Sequence, residues 1–440
     1  MSHEMIILLM FVSLMLMLST GQRVFGAIGF VGVMSALLLW GDGGYEMGYT
    51  ASIKLLNWYP LLTLPLFIFM GYMLSESGIA GDLYHMLHVW TGSLRGGLAI
   101  GTIVLMVAIS AMNGLSVAGM AIGSSIALPE MLKRNYDKRM VTGVIQAGSS
   151  LGILVPPSVV LVLYGMIARQ PVSALWLAGV VPGLMMAGLF VLYIVIRCKL
   201  QPELGPVLPR EEVEMEHAER FRVLAAGVLP LFIIFSVIGL FLLGFTSLVE
   251  SSAVGALAAM IAAMIKRRMS FKVLHATLRQ TLNVSAMFMW IILAALCYAS
   301  VFDGLGAVRA IEGLFLETWG LSPWGVLILM QLSYIVMGMF LDDTAMLVIV
   351  APLYIPLITS LGFNPVWYGV MYTVTCQIAY MTPPFGYNLF LMKAMAPKEI
   401  TLQDIYASIV PFVLIMALSI ALIMVFPQIA LWLPEAVLGN

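Results

Sequence analysis

Apolar runs of about twenty residues, the length a helix needs to cross a bilayer, recur along the whole of this chain. Uninterrupted runs occupy 4–20, 24–40, 58–74, 172–196, 223–244, 247–265, 283–301 and 406–432. Two further runs, 140–167 and 366–395, are interrupted by Pro-Pro. Regions 97–132 and 322–360 each hold two shorter apolar segments around a polar break, the pattern of a re-entrant helical hairpin. In lipid only helices and closed barrels satisfy their own backbone, and continuous rather than alternating runs argue against a barrel. The expected fold is therefore an all-α polytopic membrane protein with ten crossings, two re-entrant hairpins and two Pro-Pro-broken helices. The first run lacks a basic leader and a small-residue cleavage site, so it reads as a retained span.

Charge narrows the function. Only 10% of the 440 residues are charged and 62% are hydrophobic, whereas a soluble domain carries about 25% charged residues. A net charge of −1 without a dense basic tract argues against nucleic-acid binding. The cysteines Cys198, Cys297 and Cys376 are far apart, and the five histidines form no metal-ligand spacing. No cluster of His, Glu or Lys marks one membrane face for catalysis, so a membrane-embedded enzyme is not expected.

Basic residues set the orientation. With the N-terminus outside, 18 of the 21 Lys and Arg fall on inner segments, leaving Lys54, Arg169 and Arg309 outside. That bias satisfies the positive-inside rule and puts both termini outside. The stretch 201–222, with Pro202, Pro206, Pro209 and a Glu-rich run, reads as a cytoplasmic linker between halves 1–200 and 223–440. Segments 79–95 and 305–318 are amphipathic and suit the membrane interface.

The two halves share a pattern. Pro129 precedes Pro156-Pro157 by 27 residues, and Pro356 precedes Pro383-Pro384 by the same interval, an offset of 227 without a gap. Each half reads as span, surface helix, hairpin, broken span, closing span. The first hairpin enters from the side of Lys133–Arg139 and the second from the opposite side, which makes an inverted repeat. Inverted repeats with broken helices meeting near the midplane are a mark of secondary transporters.

Proline lacks an amide hydrogen and displaces the carbonyl four residues before it. Pro156 and Pro157 should release Gly152 and Ile153, and Pro383 and Pro384 should release Ala379 and Tyr380. Such oxygens suit a hard cation such as Na⁺; a kink satisfied by water or hydroxyls is the alternative. The hairpin tips supply facing groups: Ser110, Asn113, Gly114 and Ser116 in the first, Gly338, Asp342, Asp343 and Thr344 in the second. The offset carries Ser116 onto Asp343. One aspartate is expected to cap the second hairpin arm while the other faces a cation or proton. Half-helix N-termini beyond each Pro-Pro carry partial positive charge. With the hairpin amides, Ser149, Ser150 and Asn388 they form a seat for a carboxylate substrate, to which Ser116 and Asp343 are also assigned.

Three stretches carry a resemblance. Ala147-Gly148-Ser149-Ser150-Leu151-Gly152-Ile153-Leu154-Val155-Pro156-Pro157-Ser158 is followed by Leu163-Tyr164-Gly165. Gly338-Met339-Phe340-Leu341-Asp342-Asp343 and Thr382-Pro383-Pro384-Phe385-Gly386-Tyr387-Asn388-Leu389-Phe390 lie in the second half. Together they resemble the large membrane (M) subunit of tripartite ATP-independent periplasmic (TRAP) transporters over nearly the whole chain. The resemblance implies sodium-driven import of an organic acid by an elevator mechanism in the bacterial inner membrane. It implies a first sodium site of Ser110 and Asn113 with Gly152, Val155 and Pro157. A second would comprise Gly338 and Asp342 with Ala379, Thr382 and Pro384. It also implies a periplasmic substrate-binding protein and a small four-helix membrane subunit, here expected as a separate chain. The rival reading is a stand-alone sodium/dicarboxylate symporter.

Overall fold

The computed structural model describes residues 3–114, 116–207, 217–339, 341, 343–383 and 386–439. Among them every regular element is a helix. The first half runs α1 (His3–Ser19), α2 (Val24–Ser35), α3 (Gly44–Leu56), α4 (Thr63–Glu76), α5 (Ile79–Thr91) and α6 (Gly97–Asn113). It continues with α7 (Ser116–Ile122), α8 (Leu128–Lys133), α9 (Lys138–Ser150), α10 (Val159–Ala168) and α11 (Val172–Leu200). The second half runs α12 (His217–Leu242), α13 (Leu248–Ile265), α14 (Phe271–Gly304), α15 (Ala307–Gly313) and α16 (Pro323–Gly338). It ends with α17 (Asp343–Ser360), α18 (Pro365–Tyr380), α19 (Tyr387–Met395), α20 (Leu402–Val425) and α21 (Gln428–Leu438).

Among the described residues, five helices are long and apolar enough to cross a membrane: Tyr59–Glu76, Val172–Leu200, Leu248–Ile265, Phe271–Gly304 and Leu402–Val425. Shorter apolar helices at His3–Leu18, Val24–Trp40 and Gly227–Leu242 occupy the other uninterrupted runs. Large side chains on their outer faces, such as Leu8, Phe30, Phe235, Leu257 and Leu414, are exposed, as lipid contact requires. At 34 residues, α14 spans roughly 51 Å, well beyond a hydrocarbon core of about 30 Å. Its apolar part is the expected 283–301 run, and the earlier turns carry Lys272 and Arg279.

Both interrupted runs are two helices. α9 ends at Ser150 and α10 begins at Val159, while α18 ends at Tyr380 and α19 begins at Tyr387. The two first halves start alike. Asp137 caps α9 by accepting from the amides of Arg139 and Met140, both at 3.0 Å. Asn364, 227 residues later, caps α18 by accepting from Val366 at 2.8 Å and Trp367 at 3.3 Å. A capping side chain satisfies amides that the first turn leaves open.

Segment 44–56, between two expected spans, is the helix α3; its apolar residues are too few for a span, yet Ala51 and Leu55 are buried. Two expectations change. The linker expected at 201–222 is shorter, because α12 already starts at His217. Residues 208–216 of that linker lie outside the described residues, and its first part is pinned: Gly96 donates to Gly205 at 2.9 Å and Asp137 to Leu204 at 3.2 Å. The 406–432 run is two helices, α20 and α21, divided at Pro427.

Packing arranges the helices in two groups, joined where α6 meets α4 and α5 and where α14 meets α17. In one, α14 packs on α2 and α4, α13 on α4, and α12 on α13 and α5. In the other, α9 packs on α6 and α20, α18 on α16, α20 and α11, and α10 on α11, α17 and α18. The closing helices α11 and α20 thus pack on the broken helices. Glycines explain the closeness. A Cβ on Gly143 of α9 would stand 2.6 Å from the Ser408 carbonyl of α20, and one on Gly179 of α11 would stand 2.4 Å from the Leu154 carbonyl. Small residues let helix backbones approach in lipid, where packing rather than water exclusion drives association.

Candidate functional site

Each polar tip reaches the break of the interrupted helix in its own half. Gly114, between α6 and α7, has φ +65°, and a Cβ there would stand 2.0 Å from the Pro157 carbonyl oxygen. The Gly114 carbonyl in turn accepts from the amide of Val159 at 3.2 Å. At the other tip, a Cβ on Gly338 would stand 2.4 Å from the Cβ of Ala379. Both approaches need a residue without a side chain.

The breaks are partly satisfied by their own chain. The Ser158 hydroxyl donates to the Ile153 carbonyl and accepts from the Leu161 amide at 3.1 Å. The Ala379 carbonyl accepts from the Thr382 amide at 3.1 Å, and the Thr382 hydroxyl donates to Ile378 at 2.6 Å. Of the two alternatives for Ile153, the hydroxyl-satisfied kink is therefore present at the first break. Local turns and a capping serine engage one lone pair of each oxygen, and a carbonyl has two.

A cavity of ≈ 990 Å³ lies between the two helix groups. Its lining includes Ser116, Ile153, Val159, Val160, Asp343, Tyr380, Tyr387 and Asn388. Three pairs among them differ by the repeat offset of 227: Ser116 with Asp343, Ile153 with Tyr380, and Val160 with Tyr387. A rotation exchanging the halves must pass close to any pair of equivalents that share one cavity. One hydrogen bond marks the same place, since the Gln377 amide donates at 3.0 Å to the carbonyl of its equivalent, Ser150. Positions equivalent by the 227 offset therefore face one cavity.

Its chemistry suits an anion with polar ends. Val159 and Val160 open α10, and Tyr387 and Asn388 open α19, so two half-helix N-termini face the same space. Such termini present a positive dipole end, although at α10 the amides of Val159 and Leu161 are already engaged by Gly114 and Ser158. The Asn388 amide donates to the Ser116 hydroxyl at 3.4 Å. The Asp343 carboxylate accepts from the Thr344 amide at 2.8 Å, and the Tyr372 hydroxyl donates to the Asp343 carbonyl at 2.6 Å.

Of the residues assigned from sequence, Ser116, Asp343 and Asn388 line the cavity. Ser149 and Ser150 do not; their hydroxyls turn back to Gln146 at 2.9 Å and Ala147 at 2.7 Å within α9. Gly152 and Val155 are buried in the first break; at the second, Ala379 meets Gly338 and accepts from the Thr382 amide. Asp342 and Pro384 lie outside the described residues, as do the side chains of Ser110 and Asn113.

The facing wall escaped the sequence reading. Arg23, Phe25, Tyr72, Asn283, Met287 and Trp290 come from α14 and its neighbours. Asn283, at the edge of an apolar run, was the available signal. Also missed was the tyrosine cluster behind the cavity: Tyr368 donates to Tyr334 at 2.9 Å, and the Tyr334 and Tyr372 rings meet edge-on at 4.9 Å.

Comparison with known proteins identifies the family and the fold. The model of the family described as "Tripartite ATP-independent periplasmic transporter, DctM component" matches residues 9–429. The C4-dicarboxylate TRAP transporter large permease protein DctM of Pseudomonas aeruginosa is 30% identical, over 93% of this chain and 94% of its own length. The protein of the same name from Vibrio cholerae is 31% identical, over 87% of each chain. Among solved structures, the Alcanivorax borkumensis YdaH transporter shares the fold, with a TM-score of 0.63 at 15% identity over 90% of both chains.

Proposed function

Since the chain belongs to the DctM component family of the tripartite ATP-independent periplasmic transporters, we propose that it is the subunit that carries an organic acid through the bacterial inner membrane. The acid is delivered by a periplasmic binding protein, and a small four-helix subunit, as a separate chain, packs against the α2–α4–α14 group. Both termini face the periplasm. A C4-dicarboxylate is the first substrate to test, given the names of the relatives at 30 and 31% identity.

The observation that carries this reading is the cavity faced by equivalent positions of both halves, by two half-helix N-termini and by Ser116, Asp343 and Asn388. The N-termini and the Arg23 guanidinium attract carboxylates, and Asn388 and Ser116 supply hydrogen bonds. Sodium is the coupling ion, with one ion at each tip–break contact. Carbonyls of Gly152, Val155 and Pro157 with the Ser110–Asn113 tip would hold the first. Ala379, Thr382 and Pro384 with Gly338 and Asp342 would hold the second. Asp343 belongs to the acid's seat, next in sequence to Asp342 of the second ion site. Bound sodium draws the tip amides and carbonyls into place, so the acid binds well only to the loaded form. Movement of the broken-helix group past the α2–α4–α14 group then exchanges access between the two sides. Coupling follows because only the loaded group is free to move.

The test is uptake of labelled succinate into proteoliposomes holding this chain and its small subunit, with binding protein outside. An inward sodium gradient should drive accumulation and its collapse should abolish it. Accumulation by this chain alone would favour the stand-alone symporter. Flux indifferent to sodium would refute the coupling.

A further inference from the structure

A second pocket, of ≈ 360 Å³, lies between the same two helix groups. On one side it is lined by Ala51 and Lys54 of α3 with Trp58 and Pro60; on the other, by Met166, Arg169, Gln170, Pro171 and Val172 at the α10–α11 turn. Leu296 and Ser300 of α14 form its floor. Residues 283–291 of that same helix line the central cavity, so the two spaces lie along one wall, separated by about 8 Å of helix.

Its charge is one-sided. Two of the three basic residues on the outer side of the orientation proposed above converge here, and among the described residues no acidic side chain lines it. Among the described residues neither Lys54 nor Arg169 has a hydrogen-bond or ion-pair partner for its side chain. Arg169 sits at φ +53°, the left-handed position closing α10. Glycine usually fills that position, and a strained non-glycine residue there invites a functional reason. Trp58, Met166 and Leu296 give the pocket an apolar body beneath the two cations.

We propose that this outer pocket is a reception site for a small organic carboxylate, distinct from the central cavity. The anion would bridge Lys54 on one helix group and Arg169 on the other, relieving the repulsion between two unpaired cations. The site needs no sodium, because its positive charge belongs to the chain. The proposal rests on the transport reading and on the orientation above.

The probe is succinate, added to the purified chain in phosphatidylcholine nanodiscs without sodium, with the neutral succinamide as control. Succinate, and not succinamide, should raise the unfolding midpoint. Replacement of both cations (Lys54→Gln with Arg169→Gln) should abolish the shift, and each single change should weaken succinate roughly tenfold. Asn388→Ala, in the central cavity, should keep the sodium-free shift and lose only the additional shift that sodium brings. No sodium-free shift in the wild type, or an equal shift in the double variant, overturns the proposal. A shift that disappears when phosphatidylglycerol replaces part of the lipid assigns the pocket to an anionic headgroup and also overturns it. If Asn388→Ala leaves the sodium-dependent shift intact, the central assignment fails instead.

Discussion

Gly114 is where the site is most sensitive to a single methyl group. Its φ of +65° is in the left-handed region, and an added Cβ would stand 2.0 Å from the Pro157 oxygen. Alanine there meets two independent penalties. The left-handed backbone costs a residue with a Cβ about 1–2 kcal/mol. The contact is worse, because ordinary van der Waals separation is about 3.5 Å and neither atom belongs to a flexible side chain. The tip must therefore withdraw from the break by more than about 1 Å. A displacement of that size in a positioned group can cost on the order of 100-fold in rate. Gly114→Ala should thus lower sodium-driven succinate uptake in proteoliposomes by about two orders of magnitude, while the protein still inserts and purifies. Gly188→Ala is the control, since nothing stands within 4 Å of a Cβ there, and it should transport normally. Wild-type uptake by Gly114→Ala, at matched protein and every sodium concentration, would remove the tip–break contact from the mechanism.

Other outcomes follow from single contacts. Gly338→Ala, whose Cβ would stand 2.4 Å from that of Ala379, should damage uptake in the same direction at the second tip; unaltered sodium dependence would separate that tip from ion binding. Ser158→Ala removes the cap of α10 and the hydroxyl on Ile153. It should cost about 1 kcal/mol of stability, read as a lower unfolding midpoint that Ser158→Thr largely restores. Asp404 joins the start of α20 to the start of α9 through Lys138 at 2.6 Å and Arg139 at 3.2 Å. Asp404→Asn should lower the unfolding midpoint, and the gap from wild type should narrow in high salt as the ion pairs are screened. Asp343→Asn should weaken sodium coupling more than it weakens folding, as measured by uptake against sodium concentration alongside the midpoint.

Much of this could be read along the chain because lipid enforces simple rules. Apolar length reveals the spans, since an unpaired backbone cannot face hydrocarbon. Pro156-Pro157 and Pro383-Pro384 mark the helix breaks, since proline cannot donate the helical bond. The repeat offset of 227 pairs Ser116 with Asp343, and the cavity holds both. Two kinds of information were not local. The direction of a hydroxyl depends on its helix surroundings, so Ser149 and Ser150 bond within α9 instead of facing the cavity. The facing wall, with Arg23, Asn283 and Trp290, is made by helices far away in sequence, and α3 was too amphipathic and short to read as a span. Sequence by itself determined which long apolar segments are helical, where Pro-Pro breaks them and which residues are equivalent, because those follow from backbone hydrogen bonding and periodicity. Only the tertiary structure decided which helices pack together and what fills the space between them, because glycine contacts such as Gly143 with Ser408 and Gly114 with Pro157 set how closely separate helices approach.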